Sequence, residues 1–287
     1  MKIWKIFTQG FGKVNQNKRM LLLLFGVQFV FALILLLPLR SELNDMLGYS
    51  LMGQEALEGR GANIFIEFLV HHAETISLER SLLFGIGILY LLMTIFFNGG
   101  ILGIFTKKDE RFSARLFFES AGRFFGKFFR LFLFSLVFLL LALLLYSALL
   151  VLAKAIAGDA EVLKGVLNII LIIKLFFLIL LINMVFDYAK IRTVIEDRKD
   201  MFRTGLRSWG FVFKNLGKTL GLYYLIFLEG ILALVLYLVI SHWIQGVTGL
   251  GILLLFIWQQ IYTLTRIWIR LQVYASETVL YQNVSGS

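Results

Sequence analysis

The chain contains no cysteine, which excludes disulfides and thiolate metal sites. It has a single proline, Pro38, so proline-broken spans of the kind some transporters use are nearly absent. Charged residues make up only 16%, and most fall between apolar runs. There are three histidines, His71, His72 and His242, and no set of four metal ligands. No nucleophile–base constellation, glycine-rich phosphate loop or dinucleotide fingerprint appears. These gaps argue against an enzyme and against a bound cofactor.

What remains is apolar. Of 287 residues, 59% are hydrophobic and 29 are Phe, and the mean hydropathy is +0.85. That places the chain among all-α polytopic membrane proteins. The net charge of +10 then reflects loop bias and anionic lipid headgroups rather than nucleic acid.

A span needs about 20 mainly apolar residues. Six segments qualify, near 20–39, 81–105, 131–153, 165–187, 219–240 and 249–270. The first follows a basic start that resembles a signal peptide, but its apolar run is long, ends in LPLR and lacks a small-x-small site; it reads as an uncleaved helix. Twenty-two Lys and Arg residues fall on the side of both termini and five on the other, with Lys174 inside a span. The asymmetry puts both termini in the cytoplasm. The opposite-side segment 40–80 is mostly acidic and is expected to form two short helices hinged at 59–62.

The segments on the basic side share a pattern. In RFSARLFFESAGRFFGKFFR, Arg115, Glu119, Arg123, Lys127 and Arg130 recur every three or four residues between phenylalanines. FRTGLRSWGFVFKNLGK repeats this with Arg203, Arg207, Lys214 and Lys218, and the N-terminus does so with Lys2, Lys5, Gln9 and Lys13. Each reads as an amphipathic helix lying in the interface, followed by an outgoing and a returning span. The chain becomes three such units in a single domain, with FFGKFFRLFLFSLVF set against FVFKNLGKTLGLYYLIF. The basic faces are candidates for anionic lipid or partner binding, and equally for plain juxtamembrane anchors.

MLGYSLMGQEAL, FFNGGILGIFTKKDERFSARLFFESAGRFFGKFFRL and DYAKIRTVIEDRKDMFRTGLRSWGFVFKNLGKTLGLYYL resemble an uncharacterised group of bacterial six-span inner-membrane proteins. The likeness covers most of the chain. It is similar, more distantly, to the membrane domain fused to some glycerophosphodiester phosphodiesterases. The resemblance implies the fold and a bacterial inner membrane. It carries no site residues, and the phosphodiesterase domain is absent.

Lys174 and Glu229 each lie about ten residues into a span, roughly 15 Å deep at ~1.5 Å per residue. Gln259 and Gln260 reach a similar depth in the last span. A lone intramembrane Lys costs about 2.5–3.5 kcal/mol on insertion scales. An ion pair between Lys174 and Glu229, supported by the two glutamines, offsets that cost. It serves as a packing device, as a proton or ion relay, or gives way to a contact between Lys174 and a carboxylate on another subunit. Gln28, Asn98, Asn183 and Asp187 read as interhelical amides and interface groups, and Gly99 with Gly103 and Gly217 with Gly221 as small-xxx-small pairs. Glu67, His71 and Glu74 share a helical face, a weak metal candidate beside the plainer solvated surface. The expected function is a non-catalytic membrane scaffold or accessory subunit that docks other membrane proteins or organises lipid. The alternative is a small transporter or channel built on the Lys174–Glu229 layer.

Overall fold

A computed structural model describes residues 2–47, 77–107, 111–158, 160–197, 200–244 and 248–285. These form α1 (Ile3–Gln16), α2 (Lys18–Leu47), α3 (Ser77–Phe105), α4 (Ala114–Ala157), α5 (Glu161–Glu196), α6 (Met201–Lys214), α7 (Leu216–Trp243) and α8 (Gly249–Ser285), with no strand among the described residues. The fold is all-α. Six of these helices, α2, α3, α4, α5, α7 and α8, are long and apolar enough to cross a membrane. Lipid offers backbone groups no hydrogen bonds, so long apolar segments must satisfy their own as helices. The helix after the first apolar run continues to Leu47. The 59–62 hinge and the Glu67, His71 and Glu74 face lie outside the described residues.

The chain divides into two compact units: residues 1–17, 95–227 and 271–287 form the first, and 18–94 with 228–270 the second.

In the first unit the three amphipathic segments bury the same stripe. α1 buries Ile6, Gly10 and Val14. α4 buries Ser120, Phe124 and Phe128, with Phe117 and Ala121 beside them. α6 buries Thr204, Ser208 and Val212, with Met201 and Gly205 beside them. Residues four apart share one helix face, so each segment turns one side inward and leaves Arg and Lys on the other. The burial register aligns Phe124 with Ser208, three residues from the sequence alignment that paired it with Phe211.

The segments end differently, and one side chain explains it. α1 and α6 stop at Asn17 and Asn215, whose φ and ψ are −115° and 37°, and −119° and 26°. Each asparagine donates its side-chain amide back to the carbonyl four residues earlier, Lys13 O at 2.7 Å and Phe211 O at 3.0 Å. A side chain that bonds locally to the backbone competes with helix continuation. In the burial register the matching residue of α4 is Leu131, which is buried and has no such group. α4 therefore runs unbroken for 44 residues, and the separate interfacial helix and span expected there are one element.

The core of this unit is made by the ends of α3, α5 and α8 together with the three stripes. Leu102, Phe105, Phe117, Phe128, Leu131, Tyr188 and Ile191 are fully buried. The NGGILG stretch of α3 packs on α4: a Cβ on Gly103 would stand 2.3 Å from Ser120 Cβ, and one on Gly100 would meet the Phe117 ring at 2.7 Å. Gly221 approaches Ile3, whereas Gly217 has nothing within 4 Å, so only the first small-residue pair makes a close helix contact at both positions. α4 and α5 are antiparallel. Phe134 and Phe138 meet Phe186 edge-on at 5.7 and 5.9 Å, and Tyr146 lies 3.4 Å from Asn168 farther along.

In the second unit, Gln28 of α2 donates to the Tyr90 hydroxyl of α3 at 2.9 Å, and Phe31 packs edge-on to the same ring. Tyr237 of α7 stacks on Tyr262 of α8 at 4.4 Å, and Trp258 Nε1 donates to Tyr237 O at 3.1 Å. Leu22, Phe84, Leu232 and Leu253 are exposed, as suits helices whose solvent is lipid.

Candidate functional site

Lys174 lies on α5 in the first unit, with its side chain exposed. It makes no hydrogen bond or ion pair among the described residues. Ile173, Phe176 and Phe177 around it are also exposed, each by more than half. Glu229, on α7 in the second unit, is partly buried; Gln259 is exposed and Gln260 partly buried. Lys174 and Glu229 belong to different units, and the rotation of α5 about its axis leaves the Lys174 ammonium exposed.

The basic residues of α4 and α6 take two roles. Arg115, Arg130, Arg207, Lys214 and Lys218 are exposed and make no ion pair among the described residues. Arg123 and Lys127 converge on Asp197, at 2.6 and 2.7 Å, and both cations sit 5.4 Å from the Phe124 ring centroid. Arg203 pairs with Asp200, which also caps α6 by accepting from Arg203 N at 3.1 Å. Asp197 ends α5 with φ 46°, a left-handed conformation that Asp tolerates better than most residues. Hydrogen bonds from Lys127 and then Arg123 hold its carboxyl below the usual carboxylate range.

The densest polar arrangement was not singled out in the sequence. Where α5, α7 and α8 meet in the first unit, Asp187 accepts from Lys190 Nζ at 2.8 Å and from the Tyr223 hydroxyl at 3.2 Å. Farther along α5, Glu196 pairs with Arg192 at 2.9 Å and accepts from the Tyr281 hydroxyl at 2.7 Å. Glu277 of α8 is fully buried, within electrostatic reach of Asp187 and Lys190, yet neither carboxylate oxygen has a hydrogen-bond partner. Both polar atoms of Gln272, the Ser276 hydroxyl and the Tyr188 hydroxyl are likewise buried without one. Each unsatisfied buried group costs about 1–3 kcal/mol, so α8 carries a local energetic burden that packing alone does not require. The signal available in the sequence was a lone acid in the otherwise uncharged stretch LQVYASETVLYQ.

Among the described residues, no three His, Cys, Asp or Glu side chains converge to hold a metal. No protein family, curated protein or solved structure matches the chain.

Proposed function

We propose that this chain is a non-catalytic accessory subunit or scaffold of a membrane assembly. The carrying observation is Lys174. An ammonium near the middle of a span, turned outward among exposed Ile and Phe with no partner among the described residues, opposes membrane insertion by about 2.5–3.5 kcal/mol. A lysine relieves that cost by snorkelling only near a helix end. A carboxylate on a neighbouring subunit relieves it at depth. The reading includes a bacterial inner membrane with both termini in the cytoplasm. In its support, both chain ends belong to the unit that also carries the exposed cations of α4 and α6. Those cations are suited to anionic headgroups, worth about 1 kcal/mol per residue near such a surface.

Photo-crosslinking tests the docking face. A photoreactive residue at Ile170 or Phe177, both exposed and within about one turn of Lys174, is expected to capture another membrane protein. Capture should weaken when Lys174 is changed to Leu. Adducts to lipid alone, unaffected by that change, would count against docking.

One observation favours a second reading. Glu277 is buried beside Asp187 and Lys190 with neither carboxylate oxygen hydrogen-bonded, and ionisable residues within membrane helices often mark proton or ion pathways. On this reading the chain is a small proton-coupled transporter, with its site at Glu277 and Asp187 rather than at the Lys174 layer. Proton flux into vesicles that depends on Glu277 is the expected sign, and none is expected from the scaffold.

A further inference from the structure

α1 and α6 share more than a buried stripe. At 3.6 residues per turn, each residue advances about 100° around a helix. Around α1 the stripe of Ile6, Gly10 and Val14 is followed, about a third of a turn on, by Trp4 and Phe11, and then by a polar sector with Lys5, Gln9 and Gln16. Around α6 the stripe of Thr204, Ser208 and Val212 is followed in the same sense by Phe202, Trp209 and Phe213, and then by Arg203, Arg207 and Lys214. The register that matches Asn17 with Asn215 sets Trp4 on Phe202, Phe11 on Trp209 and Lys5 on Arg203. The core uses one sector of each helix and leaves an aromatic one beside it. Trp4, Phe202 and Phe213 are each more than half exposed.

We propose that α1 and α6 are a matched pair of leaflet-inserting helices, with their aromatic sectors seated among the acyl chains of an anionic lipid leaflet and their polar sectors meeting its phosphates. This goes beyond subunit docking: it needs no second protein and makes no use of Lys174.

Three observations select this occupant. The first is direction. Phe202 packs on Phe134 and Trp209 on Phe138, with ring centroids 4.9 and 5.5 Å apart. Those two α4 rings lie about one and two turns into its apolar run at 131–153, so the aromatic sector of α6 faces bilayer depth. On α1, Ile3 lies close enough to α7 that a Cβ on Gly221, near the start of the 219–240 run, would stand 2.7 Å from its Cδ1. The second is charge. Neither helix contains an acid. Arg203 is paired with Asp200, but Lys2, Lys5, Arg207 and Lys214 are exposed and make no ion pair among the described residues. Cations next to an aromatic sector match phosphates next to acyl chains, the boundary where such helices lie. The third is contrast. The matching aromatics of α4 are Phe118 and Phe125, and Phe96 of α3 meets both, at 6.4 and 6.1 Å. α4 runs unbroken into its span and has no turn that lets this half lie along a leaflet; there the protein supplies a cover. Where Asn17 and Asn215 end the helix, the sector stays mostly open at Trp4, Phe202 and Phe213.

The chain has no cysteine, so single cysteines carry a label without background. Bimane is attached at Trp4→Cys, Phe202→Cys or Phe213→Cys in the aromatic sectors, and at Lys5→Cys or Gly210→Cys in the polar ones, all exposed positions. The purified full-length chain is reconstituted in vesicles of phosphatidylglycerol with phosphatidylcholine, or of phosphatidylcholine alone. Quenching is by acyl-chain-brominated lipid or by aqueous iodide. In anionic vesicles the brominated lipid is expected to quench the aromatic positions roughly twofold more than the polar ones, and iodide the reverse. Lipid quenching at positions 202 and 213 should fall in phosphatidylcholine, and fall to the same level in anionic vesicles when Arg207→Gln/Lys214→Gln is added. The proposal is overturned if the two sectors quench alike, or if the aromatic positions are shielded from both quenchers, as a second copy or another protein would shield them. It is also overturned if removing charge from the lipid or from α6 changes nothing. These readings come from the chain alone, so they stand or fall apart from docking at Lys174.

Discussion

Gly10→Ala is the sharpest test of how the first unit is assembled. α1 crosses α8 there so closely that a Cβ would stand 1.9 Å from Ser276 Oγ, 2.8 Å from Ser276 Cβ and 2.9 Å from Ser276 Cα. Rotating the serine relieves the first clash, but the second and third are fixed by the backbone of α8. α1 must then move away, loosening the buried packing of Ile6 and Val14. Overpacking of this kind costs about 1–3 kcal/mol. Two residues on, Gly12 has nothing within 4 Å of its Cβ position. Gly12→Ala should gain about 0.5–1 kcal/mol from helix propensity alone. The two alanines share a helix and a chemical change, so the difference isolates the crossing. In thermal unfolding in detergent, Gly10→Ala should melt lower than wild type and Gly12→Ala at or above it. Adding Ser276→Gly should restore Gly10→Ala only in part, because the backbone of α8 at position 276 still stands too close. Equal melting temperatures for the two alanine variants would refute the close approach of α1 and α8.

Three further outcomes follow from named interactions. Asp197→Asn should cost no more than about 1 kcal/mol, since the carboxylate is half exposed, and the loss should shrink in high salt. The folded carboxyl titrates below its ordinary value of 3.8, so its contribution is present above about pH 4 and fades as pH falls through the depressed value; wild type and variant should converge in acid. Glu277→Met, which removes two buried unsatisfied oxygens, should leave the melting temperature unchanged or raise it; a large drop would show that Glu277 is held by bonds the geometry does not display. Asn215→Leu, which gives α6 the residue type that α4 has at Leu131, should cost about 0.5–1.5 kcal/mol through the lost bond to Phe211 O. Unchanged stability there would deny Asn215 its role in ending α6.

Much of the fold was legible because it depends on local composition. Six apolar runs, the basic side segments and the three-or-four-residue spacing of Arg115, Arg123, Lys127 and Arg130 all lie within single helices. Continuity was harder: nothing in the pattern distinguishes a helix that ends at Asn17 or Asn215 from one that runs through Leu131, except the asparagine itself. Rotation was not legible at all. The exposure of Lys174 is set by how α5 packs, a tertiary property that its depth in the span does not announce. The cluster around Asp187, Tyr223 and Glu277 draws on residues far apart in the chain, so no local spacing announces it.

On the proposed reading, Lys174 marks a face covered by another membrane subunit. The most direct measurement is the mass and composition of the particle extracted from its native membrane in lipid, for wild type and for Lys174→Leu. Docking through this face requires a wild-type particle well above the 32.9 kDa of one chain, containing another membrane subunit, and a variant that extracts as the bare chain. A wild-type particle of one chain and lipid alone, identical to the variant, would contradict it.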